Sequence, residues 1–277
     1  MRLPQPAAVS AYLLLMSDAV TYAASGPGGH LGIITLNRPD NRNSMTPELL
    51  DAFAGASAAA RADATIRCVI VTGTGSCFSS GADFKSNIQR DSADEPHERS
   101  YAMYAPFLSL LDIEVPIVGA LNGHAVGGGF GLAMMCDLRV GDTDAKYGAN
   151  FAKLGLAPGM AISYMLPRLV GLARANEMLL TGTLLRGSEA AAIGLLNRAV
   201  PRADVASVAT ELANAIAANA PFAVRATKAL IRRGLGLEIR AAAREEAVLQ
   251  AQSVVTEDAA EGIAALLGKR EPVFKGH

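Results

Sequence analysis

Two stretches of small residues are the places in this 277-residue chain where chemistry could be done. The first is Gly73-Thr-Gly-Ser-Cys-Phe-Ser-Ser-Gly-Ala-Asp83, and the second is Gly123-His-Ala-Val-Gly-Gly-Gly129. Each follows a short apolar run, Cys68 to Thr72 and Pro116 to Asn122, of the kind expected of strands buried on both faces. Small residues let a backbone come close to a ligand, and a helix that begins after such an exit offers unpaired N–H groups at the positive end of its dipole. Two such N–H groups aimed at one carbonyl oxygen would form an oxyanion hole, which stabilises an enolate or tetrahedral anion by about 2.7–4 kcal/mol per donor. Tight turns account for most glycine-rich segments, so neither stretch alone decides the function.

Phosphate-cradling alternatives fail on spacing. A Gly-x-Gly-x-x-Gly motif from Gly127 and Gly129 would need glycine at Leu132, and one from Gly234 and Gly236 would need it at Ile239. The Gly268-Lys269 pair is followed by Arg270 and makes no Walker loop. Nucleic acid is excluded as a partner on charge, because 25 Lys and Arg against 26 Asp and Glu leave a formal net charge of −1. A chain that is 51% hydrophobic can bury enough surface to offset its ordering entropy, which excludes general disorder. Cys68, Cys77 and Cys136 have no C-x-x-C spacing and lie in or beside apolar runs, so they read as buried free thiols in a reducing compartment. The run Ala11 to Met16 is far shorter than the ~18 residues of a membrane span and lacks a signal-cleavage pattern. The expectation is a cytoplasmic protein with no membrane contact.

The elements that must position the two exits can be read along the chain. A hairpin is expected from Ala19–Ala24 and Leu31–Asn37 around Ser25–Gly29. Thr46-Pro47-Glu48 has the residues of a helix start. Ser86 to Ser100 is polar, mixed in charge and broken by Pro96, and reads as a mobile surface loop. Helices are expected over Phe130–Cys136, Ser163–Leu169 and Ala173–Leu180, with a short strand at Leu138–Val140. From Pro201 the pattern is helical throughout, over Ala203–Ala218, Pro221–Arg233, Leu237–Val255 and Glu257–Leu267. Strands with interleaved helices followed by a helical segment give an α/β class.

In this order and spacing, Ile34-Thr-Leu-Asn-Arg-Pro39, Phe78-Ser-Ser-Gly-Ala-Asp-Phe-Lys85, Asn122-Gly-His-Ala-Val-Gly-Gly-Gly129, Leu132-Ala-Met-Met-Cys-Asp137 and Leu180-Thr-Gly182 resemble the enoyl-CoA hydratase/isomerase (crotonase) superfamily, over about residue 19 to Lys275. The resemblance implies an extension over 1–18, a spiral core of ββα turns over 19–200 that binds acyl-CoA, and a helical trimerisation module over 201–277. It also implies self-association as a trimer or a dimer of trimers. The oxyanion N–H groups of the family fall on Ala82 and Gly128, where they would polarise the thioester carbonyl of an acyl-CoA. Ser80, Ala82 and Asp83 match positions lining the adenine and pantetheine groove, Arg42 falls in the loop beside it, and Lys85 matches a lysine that reaches the phosphates. Lys269 matches a C-terminal lysine that contacts the nucleotide from a neighbouring subunit. No metal and no cofactor is implied, since coenzyme A is part of the substrate.

The chain departs from the family pattern where protons are moved. The two glutamates that the hydratase branch uses fall on Gly131 and Phe151, and neither side chain transfers a proton. Positioned acids and bases typically contribute about 10²–10⁴-fold, so little hydratase activity is expected. Related branches place an acid within Ala157-Pro-Gly-Met160, and the dehalogenase nucleophile would fall on Gly159. Tyr147, Asn150, Lys153 and Tyr164 surround this gap, with Tyr164 and Lys153 the candidates for a substitute. Asp83, Asp137 and His124 read as parts of the scaffold. Three readings of activity follow: an acyl-CoA enzyme working through an enolate-like state, an acyl-CoA-binding protein without turnover, and a decarboxylase or thioester hydrolase on the same fold.

Overall fold

The computed structural model describes residues 18–84 and 95–277. Lys85, the apolar run at 11–16 and most of the polar segment expected to be a loop lie outside the described residues. Ten strands run in chain order as β1 (Val20–Ser25), β2 (Leu31–Leu36), β3 (Cys68–Gly73), β4 (Cys77–Ser79), β5 (Ile117–Leu121), β6 (His124–Val126), β7 (Leu138–Asp142), β8 (Lys146–Gly148), β9 (Leu185–Arg186) and β10 (Arg198–Val200), as counted among the described residues. Helices α1 (Pro47–Ala62), α2 (Pro96–Leu108), α3 (Gly128–Met135), α4 (Ile162–Val170), α5 (Leu172–Thr181), α6 (Gly187–Ala192), α7 (Val205–Ala217), α8 (Pro221–Ile231), α9 (Leu235–Ser253) and α10 (Glu257–Gly268) are interleaved with them and close the chain.

The strands sort into two sheets. One has the order β1-β2-β3-β5-β7-β10 and the other β4-β6-β8-β9. The hairpin β1–β2 is antiparallel, and from β2 onward the larger sheet is parallel. Successive pairs β3/β4, β5/β6 and β7/β8 each contribute one strand to each sheet, so the chain winds as a spiral of ββ turns. The exits from β3 and β5 are therefore the steps from the larger sheet to the smaller one.

Packing explains which strands carry continuous apolar runs. Cys68, Val69, Ile70 and Val71 of β3 are all buried, since β3 lies between β2 and β5 with helices on both sheet faces. On one face Leu31, Cys68, Ile70, Val118 and Val140 pack against Val205, Ala209 and Ala213 of α7. On the other, α1 begins at Thr46, whose Oγ1 accepts the Leu49 N–H at 3.2 Å, and Phe53 meets Phe107 of α2 edge to face with centroids 4.8 Å apart. Although it lies beyond Pro201, α7 covers the sheet.

Three differences from the sequence reading have physical causes. Residues 96–100, expected in a loop, form the first turn of α2: Pro96 fills the first helical position, where its missing N–H costs nothing, and Tyr104, Phe107 and Leu108 supply a buried face. Helix α3 starts two residues earlier than expected, at Gly128, which places the glycine triplet in the helix end itself. The smaller sheet was not foreseen, because its strands have two or three residues each and show no alternation. Asp137 has the scaffold role expected of it: it accepts the Ile117 N–H at 2.8 Å and pairs with Lys228 and Arg232 of α8 at 2.9 and 2.8 Å. No helix among the described residues is long and apolar enough to cross a membrane.

Candidate active site

The two glycine-rich exits meet. Met45 donates its N–H to Gly81 O at 2.8 Å and forms an isolated parallel bridge with Ala82, which fixes the first exit against the start of α1. Ser80 N–H donates to Arg42 O at 3.1 Å, and Ser79 Oγ donates to Asn43 O at 2.8 Å. In the second exit, Gly127 donates to Gly148 O at 3.0 Å and adopts φ 56°, ψ −122°, a turn that aims the chain into α3.

Contact between the exits requires glycine. Gly81 has φ +80°, and a Cβ on it would come within 2.7 Å of Val126 O and 3.0 Å of Gly128 N. A Cβ on Gly128 would overlap Met45 Sδ, with Gly81 Cα 3.8 Å away. Ala82 and Gly128 thus stand side by side, and both line a cavity of about 770 Å³. Neither N–H has an acceptor among the described residues; the Gly128 group belongs to the first turn of α3, where no intrahelical acceptor exists. Much of the remaining wall is hydrocarbon, including Met45, Leu50, Met103, Phe151, Leu156 and Met160.

The positions that lack a carboxylate are filled in different ways. A Cβ on Gly131 would overlap Met160 Cβ and lie 2.9 Å from its Cγ, so the thioether side chain occupies the space a longer residue at 131 would need. Phe151 lines the cavity with its ring edge 4.0 Å from the Cβ position of Gly127. At Gly159 a Cβ would overlap the Tyr104 hydroxyl. Met160 and Ala161 both have left-handed backbones, φ 67° and 57°, a conformation that costs non-glycine residues energy and is held here by packing and by Glu246 of α9. Glu246 accepts the Ser163 N–H at 2.8 Å at the start of α4, and burial raises its pKa above the ordinary glutamate value.

Of the residues singled out from the sequence, Ala82, Asp83, Gly128 and Phe151 line the cavity, whereas Arg42, Ser80, Gly131 and Lys269 do not. Arg42 sits in a left-handed turn in the loop before α1, and Lys269 is an exposed left-handed residue just past α10. The two candidates for a substitute acid are not at the cavity. Tyr164 is hydrogen-bonded to Glu238 on the outer side and stacked under Arg168, and Lys153 packs beside Gly182. Tyr147 is fully buried and donates to the Asp142 carbonyl at 3.2 Å. His124 accepts the Lys146 N–H at 2.9 Å and holds the start of β8. The three cysteines are free and buried, and burial pushes the Cys77 thiol up to about 11. Tyr104 and Gln250, both in the cavity wall, were missed; one lies on an apolar helix face and the other in a long C-terminal helix, and no motif marks either.

The fold is that of a known class. The family model for enoyl-CoA hydratase/isomerase matches residues 28–277. YngF of Bacillus subtilis (strain 168), named for the same family, is 36% identical over 263 residues, covering 94% of this chain and 100% of that one. The short-chain-enoyl-CoA hydratase of Clostridium acetobutylicum is 32% identical over 244 residues, covering 88% and 93%. Among solved structures, the enoyl-CoA hydratase/isomerase from Pseudoalteromonas atlantica T6c superposes with a TM-score of 0.82 at 29% identity, covering 93% of this chain and 100% of that one. The chain belongs to the enoyl-CoA hydratase/isomerase family.

Proposed function

We propose that the protein is an acyl-CoA-processing enzyme in which the N–H groups of Ala82 and Gly128 hold the thioester oxygen as negative charge develops on it. The observation that carries this reading is the contact of the two exits at one cavity, with neither N–H group given an acceptor among the described residues. In a largely apolar site, preorganised donors gain strength because little water competes with them. The chemistry is one that proceeds through an enolate or oxyanion without two glutamates, since Met160 fills the space at Gly131 and Phe151 presents a ring. Decarboxylation and thioester hydrolysis meet that condition; 2-enoyl hydration does not. Asp83 at the cavity, with Arg42 and Ser80 in the adjoining loops, borders the coenzyme A groove, and Lys269 contacts the nucleotide bound to a neighbouring subunit.

A second reading, acyl-CoA binding without turnover, is favoured by the same filling of the glutamate positions. A panel of enoyl-, hydroxyacyl-, malonyl- and aryl-CoA esters separates the two, with ligand-induced thermal stabilisation and product formation followed together. The enzyme reading expects stabilisation with product from at least one ester. Stabilisation without product across the panel leaves binding alone, and no stabilisation at all removes the acyl-CoA assignment.

Self-association is part of the proposal. Phe222 of α8, Leu237 of α9 and Val255 in the turn before α10 are 79%, 79% and 81% exposed in the single chain, along with Leu230 and Ile231 on α8. Large apolar side chains left this exposed along the C-terminal segment support an interface there. Light scattering is expected to give three or six times the 28.7 kDa chain mass; a monomer would contradict the assignment.

A further inference from the structure

Beside Gly159 the cavity wall is closed by a hydrogen-bonded pair from two helices, Tyr104 of α2 and Gln250 of α9. A Cβ on Gly159 would meet Tyr104 Cζ at 2.8 Å and Gln250 Nε2 at 3.1 Å. The space into which a side chain at 159 would project therefore holds a phenol and an amide.

The polarity of this pair can be assigned. Gln250 Nε2 lies 3.0 Å from Ala157 O, and a carbonyl can only accept, so the amide nitrogen faces Ala157 and Oε1 faces Tyr104. The phenol is then the donor to Oε1. Burial raises the Tyr104 pKa, so the hydroxyl keeps its proton. After these two bonds the pair still has unused capacity: a lone pair on Tyr104 Oη, a second lone pair on Gln250 Oε1 and a second N–H on Nε2. The side chains of Met103, Leu156 and Met160 in the cavity wall leave that capacity to a ligand, while the Glu246 carboxyl acts electrostatically on Tyr104 from α9. An aliphatic hydroxyl, with one donor and two acceptor sites, complements it; a methylene leaves it unmet, which costs free energy in a desolvated pocket.

We infer that Tyr104 and Gln250 are specificity-determining residues that recognise a hydroxyl on the acyl chain, so that the cavity selects a hydroxylated acyl thioester over the plain alkyl thioester of equal length. The inference rests on the acyl-CoA reading above. Sites built to hydrogen-bond a substrate hydroxyl reject the analogue that lacks it, because their own polar groups are then stranded.

Isothermal titration of the wild-type chain with butyryl-, 3-hydroxybutyryl- and 4-hydroxybutyryl-CoA tests it. At least one hydroxylated ester is expected to bind about tenfold more tightly than butyryl-CoA, a ratio set by one net hydrogen bond. Tyr104→Phe, which removes a single oxygen, is expected to bring that ratio to about one. Gln250→Met, which keeps the chain length and removes the amide, is expected to do the same, so the outcome does not hang on one variant. Equal affinity of the wild-type chain for the three esters, or a preference that survives both substitutions, overturns the assignment and leaves the acyl-CoA reading intact. Binding of none of the three overturns the hydroxyl assignment, and the acyl-CoA reading then falls only if the wider ester panel also fails to stabilise the protein.

Discussion

Crotonyl-CoA should be hydrated at least about 10²-fold more slowly by this protein than by a family member that carries both glutamates, measured as loss of enoyl absorbance at equal enzyme concentration. Hydration adds a water oxygen to Cβ and a proton to Cα, and the second proton of that water must be taken up. At the positions that would perform these transfers stand Gly131, against Met160, and Phe151, a hydrocarbon ring. The titratable side chains first suspected of compensating, Tyr164 and Lys153, face elsewhere. Gly131→Glu alone is expected not to restore the rate, because the new side chain would displace Met160 from a left-handed turn already held by packing. Hydration at the rate of a two-glutamate relative would show that other groups in the cavity do this work.

The second large effect concerns the donors. Gly128→Pro removes one N–H, and proline suits the first position of a helix, so α3 should tolerate it. A Cβ at this position overlaps Met45 Sδ, so the substitution is best made with Met45→Ala, and Met45→Ala alone serves as the control. Turnover of whichever CoA ester is processed should fall by about 10²–10³ relative to that control, the range for loss of a single oxyanion donor. Binding at the adenine end, which does not depend on this N–H, should fall far less. Equal turnover by the double variant and its control would remove Gly128 from the mechanism.

Some of this arrangement was legible in the amino-acid order. The continuous apolar run of β3 could be read because a strand buried on both faces leaves no polar position, and Thr46-Pro47-Glu48 announced α1 through its cap chemistry. The motif pairs pointed to Ala82 and Gly128 only through resemblance, since glycine-rich chain by itself is indistinguishable from a tight turn. The three-residue strands β4, β6 and β8 were invisible because they are too short to show a period and exist only through pairing across the spiral. The missing acids could be read as Gly131 and Phe151, but what replaced them could not. Met160 fills one gap from 29 residues away in sequence, and Tyr104 meets Gln250 across 146. Contacts of that separation leave no local pattern.

The central claim is that Ala82 and Gly128 N–H groups polarise a thioester carbonyl, and isotope-edited infrared spectroscopy reads that bond directly. With butyryl-CoA labelled with ¹³C at the thioester carbon and bound to the wild-type protein, the C=O stretch should shift to lower frequency than in water. In the Met45→Ala/Gly128→Pro variant most of that shift should be lost, whereas Met45→Ala alone should retain it. A bound carbonyl that absorbs at its solution frequency in the wild-type protein, or a shift untouched by loss of the Gly128 donor, would contradict the account.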